Sequence, residues 1–234
     1  MSVALVLAAC LAGGATYMVR DSGPRTFATG FGERTVLKLA DGSTIELNTD
    51  SSVRISVTQN SRRVWLDRGE AYFKVKHDAE HAFTVTMGDR SVTDLGTQFS
   101  IRREPESLTV SVIQGRVLFD TVNRSKTPNL LTAGDTAVVA GNAFFVRKEG
   151  AHKLAEKAAW RPGMLVFDQV SLADDAAEFN RYNDIKIVVQ DRKAARRTIG
   201  ATFPIHNVAE FVDVEQDVLK LHVDKREHEI VISE

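Results

Sequence analysis

The stretch Arg63-Val-Trp-Leu-Asp-Arg-Gly-Glu-Ala-Tyr-Phe-Lys-Val75 decides the fold. Val64 and Leu66, then Ala71, Phe73 and Val75, alternate with other residues, and successive side chains of a strand point to opposite faces. Gly69-Glu70 between the two runs reads as a turn, with the acid just ahead of the second strand. The same rhythm extends in both directions. Upstream, Leu39-Ala-Asp-Gly-Ser-Thr-Ile-Glu-Leu-Asn48 places Leu37 and Leu39 before an Asp41-Gly42-Ser43 turn, with Ile45 and Leu47 after it. Val53, Ile55 and Val57 follow. Downstream come Phe83 and Val85, Phe99 and Ile101, Val110 and Val112, and Val117 and Phe119. Short strands at roughly 8–12 residue spacing mean an all-β unit. The pattern predicts a twisted antiparallel β-sandwich or a short β-solenoid over residues 31–147. No helical period occurs there, so parallel βαβ units are not expected. Thr121 to Pro128 reads as a polar loop, and 147–157 as the break between domains.

From Trp160 the pattern changes. Met164 to Phe167 reads as a strand. Ser171-Leu-Ala-Asp174 is a capping box, followed by Leu172, Ala176, Phe179 and Tyr182 on one helical face. Ile185 to Val189 and Ile199 to Phe203 are strands. Asn207 caps a second helix with Val208, Phe211, Val212 and Val218 as its apolar side. Leu219 to Val223 and Glu229 to Ile232 form a closing hairpin. Residues 160–234 are thus expected to be a C-terminal α+β domain of two βαβ repeats.

The chain has 234 residues with 30 basic and 31 acidic side chains, a formal net charge of -1. That balance gives no electrostatic footprint for nucleic acid. The single cysteine, Cys10, excludes an internal disulfide and a zinc–cysteine cluster. Residues 2–19 carry no charge. At about 1.5 Å per residue that is close to the minimum for a transmembrane helix. Tyr17 falls where an interfacial aromatic belongs, and Arg20 and Asp21 end the span. Residues 20–30 read as a linker. Two other readings stand: a cleaved signal peptide, and a lipoprotein signal in which Leu7-Ala-Ala-Cys10 is the lipobox. The lack of a basic residue ahead of the span suggests that the sequence starts partway through a longer protein.

No catalytic motif stands in the chain, and no enzyme activity or cofactor is expected. His77-Asp-Ala-Glu-His81 departs from the zinc-protease order and lies between strands, so it reads as a solvated loop and no metal site is expected. Glu70 lacks a nameable partner acid. Trp65, Tyr72 and Phe73 read either as packing or as a carbohydrate platform. In Gly96-Thr97, the Thr97 hydroxyl could attack the preceding carbonyl in an N-to-O acyl shift. The simpler reading is that Gly96 takes a special backbone angle and Thr97 satisfies the turn.

Taken in order, Asp41-Gly42-Ser43, Leu47-Asn48, Arg63, Leu66, Gly69-Glu70, Phe73, Val75, Phe83, Val85, Leu95-Gly96-Thr97, Phe99, Val112, Gly115 and Val117 closely resemble the FecR family of transmembrane anti-sigma regulators. Trp160, Leu165-Val-Phe167, Phe179-Asn-Arg-Tyr182 and Gly200-Ala-Thr-Phe203 extend the resemblance toward the C-terminus. The resemblance implies a single-pass inner-membrane signal transducer with residues 20–234 in the periplasm. It implies a cytoplasmic N-terminal segment that binds an extracytoplasmic-function sigma factor. It also implies a periplasmic region that senses the signalling domain of a TonB-dependent outer-membrane receptor, for iron-siderophore or other nutrient uptake. The C-terminal part resembles the secretin and TonB short N-terminal fold. Some family members cleave themselves at the bond matching Gly96-Thr97. Asp41, Gly42, Asn48, Gly69, Glu70, Phe73, Gly96, Thr97, Phe99 and Gly115 are expected to be structural motif residues. Partner binding is expected by strand addition at Ile199, Gly200, Ala201, Thr202 and Phe203. Two departures stand out. Ala82 replaces a usual Pro, and no cytoplasmic domain precedes the apolar segment, so a misplaced start, a truncation or a protein that holds no sigma factor is expected. The alternative function is an envelope protein, membrane-anchored or lipidated at Cys10, whose β-rich module binds glycan or peptidoglycan.

Overall fold

The computed structural model describes residues 15–19, 23–94, 96–121 and 128–234. Its organising element is the strand that contains the stretch quoted above. Fourteen strands, β1 (Ala15–Val19), β2 (Arg25–Ala28), β3 (Thr35–Leu39), β4 (Thr44–Leu47), β5 (Ser52–Thr58), β6 (Ser61–Lys74), β7 (Phe83–Met87), β8 (Arg90–Asp94), β9 (Gln98–Arg103), β10 (Ser107–Gln114), β11 (Arg116–Thr121), β12 (Asn129–Thr132), β13 (Asp135–Ala140) and β14 (Ala143–Lys148), join in one sheet. The sheet curls because β6 changes partners midway. Arg62 to Trp65 lie between β5 and β7, whereas Ala71 to Lys74 lie between β4 and β9. One layer therefore runs β1-β3-β4-β6-β9-β10-β13-β14 and the other β2-β5-β6-β7-β8-β11-β12. Pairing is antiparallel except β1 with β3 and β6 with β7.

Gly69 is not in a turn, as the sequence suggested, but inside β6 at the crossing point, with φ +83°. The register between β5 and β6 shifts at Ser52/Val53, which leaves Asp67 as the extra residue of a bulge. The inward residues of both layers make one core: Leu37, Ile45, Leu47, Val53, Val64, Leu66, Phe73, Phe83, Phe99 and Val110 are all fully buried. Phe73 stacks on Phe99 at 4.9 Å between ring centroids and meets Phe83 edge-on at 6.3 Å. The expected period-two positions are thus the core positions.

Residues 1–14, including Cys10 and most of the expected span, lie outside the described residues, as do residues 122–127 of the expected loop. The last five residues of that span are extended, not helical: β1 pairs in parallel with β3, and Tyr17 packs against the core. No helix among the described residues is long and apolar enough to cross a membrane. The expected linker contains β2, which pairs with β5.

The chain divides into two compact units between Leu154 and Ala155. A helix that was not expected, α1 (Ala151–Lys157), occupies this break. The second unit contains β15 (Met164–Ser171), α2 (Leu172–Phe179), β16 (Lys186–Val189), α3 (Arg192–Ala195), β17 (Thr198–Pro204), α4 (Val208–Asp217), β18 (His222–Lys225) and β19 (Glu229–Ser233). Ser171 caps α2 by accepting from the Asp174 amide, and Asn207 caps α4 by accepting from the Glu210 amide. The element order matches expectation apart from α3, but the pairing does not make two βαβ units. β15 pairs with β17, antiparallel, and β16 pairs with β19, parallel, so each half gives its strands to different sheets. The reason is local to the core. Phe167, Phe179, Phe203 and Phe211 come one each from β15, α2, β17 and α4, and their ring centroids lie 4.5–6.3 Å apart. Burying all four rings requires the halves to interlock.

Candidate functional site

Three places bring the expected motif residues together in the first unit. At the first, Asn48, Gly69 and Glu70 meet where β6 crosses between layers. The Asn48 side-chain amide donates to Glu70 Oε2 at 2.9 Å, and the Asn48 backbone N–H donates to the Glu70 carbonyl at 2.9 Å. The Glu70 N–H donates to Ser51 Oγ at 2.9 Å, and the Ser51 hydroxyl reaches the Thr49 carbonyl at 2.9 Å. Glu70 is buried and bonded to its own scaffold, which is a latch and not a catalytic acid.

At the second, Asp41 and Gly42 turn the chain beside Arg62. The Arg62 side chain is 3% exposed and forms an ion pair with Asp41 Oδ2 at 3.2 Å. Its other N–H groups donate to backbone carbonyls: Nη1 to Lys76 at 2.9 Å, Nε to His81 at 2.8 Å, and Nη2 to His81 and Asp78. The guanidinium also lies over the Phe83 ring at 5.7 Å. Arg62 therefore anchors the 76–81 loop. Within that loop His81 Nδ1 lies 3.1 Å from Asp78 Oδ2, and the His81 backbone N–H, then its ring, hold the Asp78 carboxyl down at about 2. A cavity of about 540 Å³ opens here, lined in part by Asp41, Arg62, Lys76, His77 and His81. The donors of Arg62 are already taken up by the loop. Replacement by lysine keeps the charge but loses the fork, leaving carbonyls unpaired. Arg62→Lys is expected to cost about 2 kcal/mol of stability and to expose the loop to proteolysis, read by urea denaturation and limited trypsin digestion.

At the third, Gly96 and Thr97 sit beside Gly115. Gly96 has φ +150°, and a Cβ there would lie 2.8 Å from the Cα of His77. The Gly96 N–H donates to Asp94 Oδ1 at 2.9 Å, and the Thr97 hydroxyl donates to the same oxygen. Thr97 Oγ also lies 3.0 Å from the Arg116 carbonyl. Thr97 and Asp94 are 4% and 2% exposed, and Asp94 Oδ2 has no hydrogen-bond partner among the described residues. Chemically this is a buried hydroxyl held on a carboxylate, next to a glycine carbonyl.

Phe73 and Phe99 are core residues. No carbohydrate platform forms: Phe73 and Tyr72 are buried, with the Tyr72 hydroxyl on Gln98 Oε1 at 2.7 Å, and Arg54 covers Trp65.

In the second unit, the expected partner strand is β17. Its only strand neighbour among the described residues is β15, so one edge is open. Gly200 and Thr202 are exposed, and Ile199 and Ala201 are half-buried. Phe203 is 2% exposed and belongs to the aromatic core, so its side chain is not available to a partner.

Arg62, Asp94 and Ser51 were not singled out from sequence. A signal existed for Arg62: it shares the inward parity of Val64 and Leu66.

A curled β-sheet unit followed in sequence by an interlocked α+β unit defines a class of two-part, β-rich scaffold protein. Residues 25–118 match the family model of the FecR protein. Two crystal structures of a candidate anti-sigma factor from Parabacteroides distasonis share the fold. One is 22% identical with a TM-score of 0.72, covering 90% of this chain and 99% of that one. The other is 23% identical with a TM-score of 0.72, covering 89% and 98%. No curated protein matches the chain.

Proposed function

We propose that the chain is the envelope part of an anti-sigma regulator, which relays the state of an outer-membrane receptor to a sigma factor. The observation that carries this reading is the FecR match over residues 25–118, set in a fold shared with a candidate anti-sigma factor. Its partners are the signalling domain of a TonB-dependent receptor on the outer side and an extracytoplasmic-function sigma factor on the inner side. It is held at the inner membrane with the folded chain from β1 onward, residues 15–234, in the periplasm, serving iron-siderophore or other nutrient uptake. The open edge of β17 is the docking strand, because an edge offers unpaired N–H and C=O groups to an added strand. The test uses the full chain in detergent and the signalling domains of TonB-dependent receptors from the same genome. Lysines at the two exposed edge positions, Gly200→Lys with Thr202→Lys, are expected to weaken capture at least 10-fold while the thermal transition is retained. Unchanged capture by the folded double variant removes β17 from the interface, and no capture by the unaltered chain removes the receptor reading.

A second reading is favoured by the Thr97 hydroxyl donating to buried Asp94: the chain cleaves itself between Gly96 and Thr97. Mass spectrometry of the full chain would show a fragment beginning at Thr97, absent in Thr97→Ala.

A further inference from the structure

We infer that Asp94 is the catalytic base of this self-cleavage; the assignment rests on the second reading above. A threonine hydroxyl is a weak nucleophile until an adjacent base takes its proton. Asp94 meets that need from inside the same turn. Its Oδ1 accepts from the Thr97 hydroxyl and, at 2.9 Å, from the Gly96 N–H. The carboxylate is thereby tied to both residues of the scissile bond. Asp94 and Thr97 are almost wholly buried, which shields the pair from water and strengthens their interaction. Among the described residues Asp94 Oδ2 has no hydrogen-bond partner, so the donors on this carboxylate are the Gly96 N–H and the Thr97 hydroxyl, both at Oδ1. Gly115 leaves the bond accessible: a Cβ there would lie 2.9 Å from Thr97 Oγ and 3.3 Å from the Gly96 carbonyl oxygen. The space in which the tetrahedral centre must form is kept free by the missing side chain.

The step balances within the turn. Asp94 Oδ1 takes the hydroxyl proton as Thr97 Oγ bonds to the Gly96 carbonyl carbon, and the C=O electron pair moves to oxygen. The carbonyl re-forms, the Gly96–Thr97 C–N bond breaks, and Asp94 returns the proton to the Thr97 nitrogen. The product is an ester of Gly96 on Thr97 Oγ with a free amino group on Thr97. Water then hydrolyses the ester, leaving a Gly96 carboxylate and a new N-terminus at Thr97.

The experiment is a cycle of variants in the full chain, tagged at the C-terminus, with cleavage followed by intact mass and the ester trapped by hydroxylamine. Asp94→Asn is expected to slow cleavage about 100-fold, the lower range of general-base catalysis. In a Thr97→Cys background the same substitution is expected to cost less than about 10-fold, because a thiol of pKa near 8.5 ionises without help. A residue that only shapes the turn would cost the same in both backgrounds, and that result overturns the assignment. Equal rates for Asp94 and Asp94→Asn with Thr97 intact also overturn it. No cleavage of the unaltered chain removes the self-cleavage reading and the base with it. Should Asp94→Asn not fold, judged by near-ultraviolet circular dichroism, Asp94→Glu carries the same cycle with the carboxylate displaced by one methylene.

Discussion

Gly69→Ala is expected to destabilise the first unit by about 4 kcal/mol, enough to unfold much of it at 37 °C. Three costs combine. The residue has φ +83°, a conformation that costs a non-glycine residue about 1–2 kcal/mol. An added Cβ would lie 2.3 Å from Ser51 Oγ, 2.5 Å from Ser51 Cα and 2.7 Å from the Asp50 carbonyl oxygen. Two of these atoms are backbone, so no side-chain rotation relieves the clash, and forced repacking costs about 1–3 kcal/mol. Moving Ser51 also strips the Glu70 N–H of its acceptor in a buried place, at about 1–3 kcal/mol. Urea denaturation followed by Trp65 fluorescence measures the loss. A change below about 1 kcal/mol would mean that the crossing of β6 is not held by this contact. Ser51→Ala combined with Gly69→Ala should recover part of the loss, since it removes the atom closest to the added methyl.

The same crossing shows what the sequence displayed and what it did not. The alternation of Leu37, Leu39, Ile45, Leu47, Val53, Ile55, Val64 and Leu66 was visible because burial on one sheet face repeats every two residues whatever the topology. The passage of one continuous strand from one layer to the other was not visible. Glycine beside an acid has the composition of a turn, and only the change of pairing partners, from β5 and β7 to β4 and β9, keeps the chain extended. Arg62 was hidden for a different reason. It stands between Ser61 and Arg63 in a polar run, and burial of an arginine depends on carbonyls that the 76–81 loop supplies. In the second unit the helices and strands were readable from caps and periodicity, yet β15 pairs with β17 and β16 with β19. Local order alone favours neighbours within each half, and the four-phenylalanine core decides otherwise. Of the candidate site, the glycines and Thr97 were legible as motif residues. Asp94 acquires meaning only when the turn brings its carboxylate to the Thr97 hydroxyl.

The inward stripe of α4 was misread at one position, and the true occupant gives the second large prediction. Val218 is 64% exposed, whereas Glu215 is fully buried with neither carboxylate oxygen hydrogen-bonded to any of the described residues. Glu215 falls three and four residues after Val212 and Phe211, where the helix presents its core face. Burial pushes its carboxyl up from 4.5 to about 7. The folded unit thus holds a proton that the unfolded chain has released, so stability falls as pH rises from about 4.5 to about 7. Below that window both states are protonated and the cost vanishes; above it the full cost remains, on the order of 3 kcal/mol. Asp191 acts in the opposite sense and in another range. The Ala194 N–H, then the Glu234 N–H, lower it below its usual 3.8, so its contribution is lost only as pH falls below that value. Glu215→Leu removes the titrating group and restores an apolar contact at a core position. It is expected to raise the stability of the second unit at pH 8 by about 3 kcal/mol and to flatten the slope between pH 4.5 and 8. Trp160 is the fluorescent reporter for this unit once Trp65→Phe silences the other tryptophan. An unchanged slope in Glu215→Leu would place the pH dependence elsewhere. A flattened slope would show that this unit keeps a destabilising acid in its core.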